Sequence, residues 1–196
     1  MASAATGPSN SLHPKDWIDA ASARLAKHGV EAVRVESLAR ELRVSKGSFY
    51  WHFRDRVDLL EQVLAGWETE ELRWLEDKQL ESMAAARRWA RIVEMTSDPE
   101  RVRMRMAIRA WARADERVAA RVAAIEKKNV ALIAGVLREI GFSNADAESW
   151  AQIAMLVCLG WLDRRSRDRQ VSSSGLGDFL SQLILAASAR GGAGHS

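Results

Sequence analysis

The chain has 196 residues, of which 47% are hydrophobic and 28% are charged, and its formal net charge is +3 at pH 7. This composition is typical of a globular protein that can bury a core in one domain and carry a small second domain. The weak positive charge permits an anionic partner but does not require one.

A single cysteine, Cys158, excludes an intramolecular disulfide framework. Neither CxxC nor HxxxH spacing occurs, so we expect no metal site and no cofactor. The most apolar stretch, residues 150–162, is shorter than the roughly 20 residues that span a bilayer, and the polar N-terminus is unlike a signal peptide. We therefore expect a cytoplasmic protein without a membrane partner.

The N-terminal region is predicted to form a disordered arm followed by one helix. Residues 1–13 are small and polar, which favours the arm. The helix is expected over residues 14–28, because Pro14 suits its first turn and Gly29 its end. Apolar residues recur at helical spacing between these signals: Trp17, Ile18, Ala21 and Leu25.

Two short helices come next, over residues 35–42 and 46–52, and only three residues separate them. That pairing suits a helix-turn-helix unit. A long helix begins near Arg56 and is predicted to extend as far as Leu80, tying the two halves of the chain together.

The remainder of the chain is also predicted to be helical. No alternating run of β-branched residues occurs after the arm, so the fold class is all-α. Turn signals such as Ser97-Asp98-Pro99 separate the helices, and the glycine-rich residues 191–196 are expected to form a flexible tail. The predicted helices are 83–95, 100–112, 116–140, 145–165 and 176–188.

The beginning of the second short helix is suited to binding an anion. Ser45 is expected to cap the helix with its hydroxyl, and Lys46, Gly47 and Ser48 place a cation, an accessible backbone and a small donor in its first turn. Unpaired N–H groups and the helix dipole already attract phosphate at such an end. Residues 34–56 contain six basic and three acidic side chains, an excess equal to the net charge of the chain.

The aromatic residues of the same helix divide between core and surface. Phe49 and Phe53 are four residues apart and should pack together on the first short helix. Tyr50, Trp51 and His52 then face the remaining surface, where their polar tips suit phosphate and base edges. For His52 an alternative is that it caps or braces the long helix.

These residues together resemble the DNA-binding signature of the TetR family of transcriptional regulators. The resemblance is specific, extends over about residues 17–64, and includes the preceding helix and Gly29 at the expected distance. The residues that carry it are Leu38-Ala39, Val44-Ser45-Lys46-Gly47-Ser48-Phe49-Tyr50-Trp51-His52-Phe53, Arg56 and Leu59-Leu60.

The resemblance implies that the second short helix enters the major groove of DNA. Groove or base contacts are then assigned to Lys46, Ser48, Trp51 and His52, and phosphate contacts to Tyr50 and Arg56, with Arg56 standing where the family usually has lysine. The full predicted DNA-binding set is Arg34, Ser45, Lys46, Gly47, Ser48, Tyr50, Trp51, His52 and Arg56.

Two positions depart from the family pattern. Arg43 replaces the usual turn glycine, so a left-handed backbone there would cost about 1 kcal/mol. Arg34-Val35 replaces the serine or threonine that often caps the first short helix, which weakens the cap but adds a cation beside it. Arg34 is therefore a further candidate for a DNA contact.

The resemblance also implies two domains and a homodimer. Residues 14–64 would form the DNA-binding domain and residues 65–190 an α-helical ligand-binding and dimerisation domain. Two recognition helices about 34–36 Å apart suit a pseudo-palindromic double-stranded operator. The expected dimer interface is Trp150, Ile153, Leu156, Val157, Trp161, Phe179, Leu180, Leu183 and Ile184.

Family members usually hold a small effector between the later helices. The predicted pocket residues are Trp67, Trp89, Met104, Ile108, Trp111, Asn129 and Val136, although ordinary core packing is favoured over a pocket for each of the apolar ones. Asn129 interrupts an apolar stripe and is expected to face water, the alternative being a ligand contact. Arginines recur every four residues from Arg101 to Arg121, which favours a solvated, salt-bridged face.

The sequence therefore predicts a dimeric, sequence-specific DNA-binding regulator, a repressor released from its operator by an unknown small-molecule ligand. No catalytic residues are predicted, because no nucleophile and base occur at motif spacing. The alternatives are a regulator or activator that needs no ligand, and a helical interaction protein that has lost DNA binding.

Overall fold

The computed structural model describes residues 12–96, 98–167, 175–177 and 180–182. All regular structure in these residues is helical, as predicted, and they contain no strand. The helices are α1 Pro14–His28, α2 Val35–Glu41, α3 Lys46–Tyr50, α4 Arg56–Leu75, α5 Lys78–Ser82, α6 Ala85–Thr96, α7 Pro99–Ala112, α8 Glu116–Glu139 and α9 Asn144–Arg167.

The chain divides into two compact units, Met1–Gly66 and Trp67–Ser196. The first contains α1 to α3 and the N-terminal part of α4, and the second contains the remaining helices. The predicted arm lies outside the described residues except for its last two positions. The predicted last helix and tail also lie outside them, apart from residues 175–177 and 180–182, which are helical.

The first unit is organised around a small aromatic core. Trp17 of α1 packs edge-on against Phe49 at a centroid distance of 5.3 Å, and Phe49 stacks on Phe53 at 5.2 Å. Leu25 and Leu38 complete a fully buried set with them. Because Phe49 and Phe53 are four residues apart, one face of α3 is fixed against the unit as predicted.

The turns on either side of α2 lie where the sequence predicted them, and one further short element precedes the helix. Gly29 ends α1 with a positive φ of 79° and its N–H donates to the Leu25 carbonyl over 2.9 Å. A short 3-10 turn, Val30–Ala32, then precedes α2, which the sequence did not indicate. Arg43 adopts the left-handed conformation with a φ of 58°, in the place where the family pattern has glycine.

The predicted extent of the long helix was wrong. Helix α4 ends at Leu75, and a separate short helix begins at Lys78. Asp77 lies at the break with an extended backbone, and its carboxylate accepts a hydrogen bond from the Gln79 N–H over 2.9 Å. An aspartate cap of this kind begins a new helix in preference to continuing the old one.

The second unit packs α6 to α9 around an apolar core. Aspartates cap two of its helices, Asp98 for α7 and Asp115 for α8, and Gly141 with a φ of 105° follows α8. Helices α8 and α9 make the most extensive contact in the chain. Among the described residues, no helix combines the length and apolarity that crossing a membrane requires.

Candidate nucleic-acid interface and internal cavity

Helix α3 presents large aromatic side chains outward from a rigid base. Phe49 and Phe53 are 0% and 2% exposed, whereas Tyr50 and Trp51 are 62% and 88% exposed. Since solvent exposure of a tryptophan is costly, an 88% exposed indole needs a reason outside the folding of this unit. His52 is half-buried, with its ring against Phe53 at a centroid distance of 6.3 Å.

The beginning of α3 differs in one detail from its prediction. Ser45 is the N-cap residue, but its hydroxyl accepts no capping hydrogen bond, so the predicted side-chain cap was wrong. Its carbonyl instead accepts from the Ser48 N–H over 3.1 Å. A Cβ at Gly47 would meet only the Ser45 Oγ at 3.5 Å, so the fold does not require glycine there.

Lys46 is exposed but already paired. Its Nζ lies 2.6 Å from the Glu36 Oε1, and both side chains are about half exposed. The hydrogen bond from Lys46 is the main cause that holds the pKa of the Glu36 carboxyl below its usual value. A phosphate that binds Lys46 must therefore compete with Glu36.

Arg34 and Arg56 are placed differently from each other. Arg34 is exposed at the N-cap of α2, where it provides no side-chain cap, and its Nε donates to the Glu31 carbonyl over 3.1 Å. Arg56 is half-buried and donates to the carbonyls of Val33 and Val30, both over 2.6 Å. These bonds tie the start of α4 to the segment before α2, a positioning role that the sequence did not indicate. A phosphate contact by Arg56 stays a prediction.

Helix α9 carries the apolar face predicted to form a dimer interface. Leu156 and Ile153 are 69% and 40% exposed, and Trp150, Val157 and Trp161 are half-buried. Leu180 is only 4% exposed and packs inside its own unit, so its predicted place at the interface is corrected. Three other predicted interface residues lie outside the described residues: Phe179, Leu183 and Ile184.

The second unit contains a mainly apolar cavity of about 50 Å³. One water needs about 10–15 Å³ of such space, so the cavity has room for a small molecule. Its lining consists of Trp67, Trp74, Trp89, Ile92, Val93, Arg105, Arg109, Val122, Ile125, Glu126, Asn129, Leu132, Ile133, Ala154, Met155, Cys158, Leu159 and Leu180.

The predicted pocket residues divide between this lining and other places. Trp67, Trp89 and Asn129 line the cavity. The other four do not, which corrects the prediction: Met104, Ile108, Trp111 and Val136. Of these, Ile108 and Val136 are 0% exposed and belong to the packed core. Apolar periodicity identifies buried positions but does not separate a cavity wall from close-packed core.

Asn129 was expected to face water, and this was wrong. It is 9% exposed, and its Nδ2 donates to the Ile125 carbonyl one turn earlier in α8 over 3.1 Å. That bond uses one of the amide's two donor hydrogens. A buried asparagine that lines a cavity is a candidate polar group for binding a ligand.

Four arginines of the row, Arg101, Arg105, Arg109 and Arg121, form partly buried ion pairs between helices, which corrects the predicted solvated face at these positions. Arg113 and Arg117 are exposed, as predicted. Glu71 of α4 is 3% exposed and accepts from Arg105 over 2.8 Å and from Arg101 over 3.3 Å. Arg121 of α8 pairs with Glu68 over 2.6 Å, and Arg109 pairs with Glu126. The acidic partners were missed because they lie on other helices, far from the arginines in sequence.

Burial lowers the pKa of Arg109, and the charges of Arg113 and Arg105 lower it further. The Arg109 guanidinium is thus partly desolvated and lies near two other arginines as well as its partner Glu126. In the described part of the chain, no group of three or more His, Cys, Asp or Glu is arranged to hold a metal ion.

Residues 18–63 match the family model described as bacterial regulatory proteins, tetR family. These residues contain most of the aromatic core, the whole of α2 and α3, and the start of α4. No curated protein sequence matches the chain.

Solved structures share the fold over almost the whole length of both chains. A putative transcriptional regulator from Saccharomonospora viridis, in complex with choline, has a TM-score of 0.76 at 19% identity and covers 87% of this chain and 94% of its own. A TetR transcription regulator from Haloarcula marismortui has a TM-score of 0.73 at 15% identity, with coverages of 88% and 96%. The regulator FadR from Bacillus subtilis, in complex with stearoyl-CoA, has a TM-score of 0.58 at 16% identity, with coverages of 86% and 97%.

Proposed function

We propose that the chain is a transcriptional regulator of the TetR family, which binds a pseudo-palindromic operator as a homodimer and represses transcription until a small-molecule effector releases it. In this proposal residues 14–64 bind DNA, and residues 65–190 bind the effector and form the dimer. The observation that carries the proposal is helix α3, which holds Tyr50 and Trp51 in solvent on a buried phenylalanine base.

The geometry of α3 suits the major groove. A helix fixed by Phe49 and Phe53 loses little conformational entropy on binding, so its outward side chains are preorganised. Lys46 at its start supplies a phosphate contact once it leaves Glu36, and the indole of Trp51 supplies apolar contact to a thymine methyl or a sugar. Arg56 supports this surface by fixing the backbone before α2.

The exposed apolar face of α9 supports the dimer. Leu156 and Ile153 are too exposed to stabilise a monomer, and a twofold axis would let the same face of a second copy cover them. A Cβ at Gly160, which follows on this face, would meet no atom from the described residues outside its own stretch of helix within 4 Å. A small residue with open space beside it permits close approach of a second helix.

The internal cavity supports control by a small molecule. The two ligand-bound relatives hold chemically unlike molecules, choline and stearoyl-CoA, so the fold alone does not define the ligand. In this chain the side chains beside the cavity are linked to α4, because Arg105 lines the cavity and also binds Glu71. A ligand that alters this ion pair therefore acts on the helix that begins in the DNA-binding unit.

The test is to select genomic fragments on the purified protein and to titrate the enriched sequence by fluorescence anisotropy at two salt concentrations. We expect a palindromic sequence bound by two chains, with an affinity that falls steeply with salt because several phosphates are neutralised. Enrichment of no sequence, with weak binding to all fragments alike, would favour the alternative of a helical interaction protein.

A further inference from the structure

We propose that the cavity of the second unit binds a small organic anion, a carboxylate carried on a compact apolar body. This inference deepens the proposed function and rests on it for the regulatory role of the site. The binding chemistry itself follows from which hydrogen-bonding groups of the cavity are satisfied and which are not.

Two tryptophans supply unused hydrogen-bond donors. Trp67 and Trp74 line the cavity and are each 8% exposed, and no described residue accepts a hydrogen bond from the Nε1 of either. An indole N–H can only donate, and leaving it buried without an acceptor is unfavourable. Trp89 also lines the cavity, but its Nε1 already donates to the Ser181 Oγ over 3.2 Å. A ligand that accepts hydrogen bonds from the N–H groups of Trp67 and Trp74 would therefore be stabilised.

Trp17 of the first unit also has a buried Nε1 with no acceptor among the described residues. That indole packs on Phe49 in the aromatic core, and it does not line the cavity. The feature that points to a ligand is thus that two residues with such donors line the same cavity.

Two arginines add positive charge to the same wall. Arg105 and Arg109 line the cavity, and their side chains are 14% and 32% exposed. Each guanidinium has five N–H donors, and a single acidic side chain pairs with each of them. Because burial and the charges of Arg113 and Arg105 disfavour the charged form of Arg109, an anion beside it would stabilise that form.

The charge balance favours an anion over a cation. The charged side chains that line the cavity are two arginines and one glutamate, Arg105, Arg109 and Glu126. Tryptophan walls also suit a quaternary ammonium ion. Here, however, the one carboxylate in the lining, Glu126, is already paired with Arg109.

The rest of the lining sets the form of the ligand. Ile92, Val122, Met155 and Leu159 are apolar, so the body of the ligand is apolar as well. A volume of about 50 Å³ favours a short or compact body over a long acyl chain. The carboxylate would lie between the tryptophan donors and the arginines and would compete with Glu71 for Arg105.

The experiment uses the full-length protein with benzoate, isovalerate and hexanoate as probes, and benzyl alcohol and choline as controls. Thermal unfolding and isothermal titration calorimetry report binding. We expect at least one carboxylate to raise the unfolding temperature and bind saturably, and neither control to do so.

Tryptophan variants test the contacts. Trp67→Phe combined with Trp74→Phe keeps aromatic walls but removes both donors, and we expect the affinity for the carboxylate to fall about tenfold or more, since each lost bond to a charged acceptor weakens binding severalfold. Trp17→Phe is the matched control, because the Trp17 Nε1 is also buried without an acceptor among the described residues but does not line the cavity, and we expect a change below about threefold. Circular dichroism checks that each variant is folded.

Two outcomes overturn the inference: choline stabilises the protein and no carboxylate does, or the Trp67 and Trp74 variant binds carboxylate as tightly as the native chain. Retained operator binding in either case would leave the DNA-binding function intact. Carboxylate binding without any effect on operator affinity would uphold the site and contradict the proposed release by ligand.

Discussion

The two units of this chain differ in where their functional polar side chains lie, at the surface in the first unit and inside the core in the second. In the first unit the core is aromatic and aliphatic, and the side chains proposed to bind DNA project into solvent from α3. In the second unit a glutamate and an asparagine are buried, and arginines and tryptophans surround a cavity. A surface that binds a macromolecule needs a rigid support beneath it, whereas a site for a small molecule needs polar groups and space inside the core.

The largest predicted effect tests the aromatic support of the first unit. Phe49→Ala should destabilise that unit by about 3–5 kcal/mol, because it removes a fully buried ring between Trp17 and Phe53. Chemical denaturation followed by tryptophan fluorescence measures the change. Tyr50→Ala, the exposed neighbour, is the control and should change stability by less than about 1 kcal/mol. Equal effects of the two substitutions would contradict the division of α3 into core and surface.

The next effect tests the buried charge of the second unit. Glu71→Ala should cost about 3 kcal/mol, because it leaves Arg101 and Arg105 without their shared buried partner. Glu70→Ala is the matched control on the same helix, since Glu70 is exposed and its pair with Arg73 should contribute about 0.5 kcal/mol or less. If unfolding experiments show no difference between the variants, the buried network is not structural.

A smaller effect concerns the aspartate cap of α7. Asp98 accepts hydrogen bonds from the N–H groups of Glu100 and Arg101 over 2.8 and 3.0 Å, so Asp98→Ala should cost about 1 kcal/mol at neutral pH. Asp98→Asn should retain most of that stability, because asparagine is also a good cap.

The pH dependence of the Asp98 cap has a defined sign. The bond from Arg101 is the main cause that holds the pKa of Asp98 below its usual value of 3.8. The stabilisation from the ionised cap is therefore present above pH 3.8 and is lost as the pH falls through the lower folded-state pKa. Unfolding curves of the native chain and Asp98→Ala should converge in strong acid. A stability difference that grows on acidification would contradict this account.

The smallest effect concerns the turn between α2 and α3 in the first unit. Arg43 holds a φ of 58°, and Arg43→Gly should relieve about 1 kcal/mol of strain, reduced by the greater freedom of glycine in the unfolded chain. Arg40→Gly, the same substitution inside α2, should instead destabilise the unit by about 1 kcal/mol. Thermal unfolding distinguishes the two signs, and destabilisation by both would show that Arg43 is not strained.

The same contrast explains how much could be predicted from the sequence. In the first unit local sequence features fix the helices, for example Pro14, Gly29 and the spacing of Phe49 and Phe53. Its helices and its exposed aromatic side chains were therefore predicted. The hydrogen bonds of Arg56 were harder to predict, because its carbonyl partners lie more than 20 positions earlier in the chain. In the second unit helices α6 to α9 were predicted to within a few residues, but the break at Asp77 was not.

The chemistry of the second unit was not predictable from periodicity. A spacing of four residues places arginines on one side of a helix but does not reveal a glutamate on another helix, as for Arg105 and Glu71. The burial of Asn129 and the unsatisfied indoles of Trp67 and Trp74 depend likewise on packing between helices distant in sequence. Local motifs therefore identified the surface proposed to bind DNA, and only the three-dimensional structure identified the cavity and its charges.

The most direct test of the central claim is the affinity of the selected operator for Lys46→Ala combined with Tyr50→Ala. Both side chains are exposed on α3, so we expect the variant to remain folded and dimeric while its operator affinity falls about tenfold or more. Lys27→Ala, which removes the same charge from the end of α1, should change the affinity by less than about threefold. An unchanged affinity in the α3 double variant would contradict the assignment of this helix to DNA.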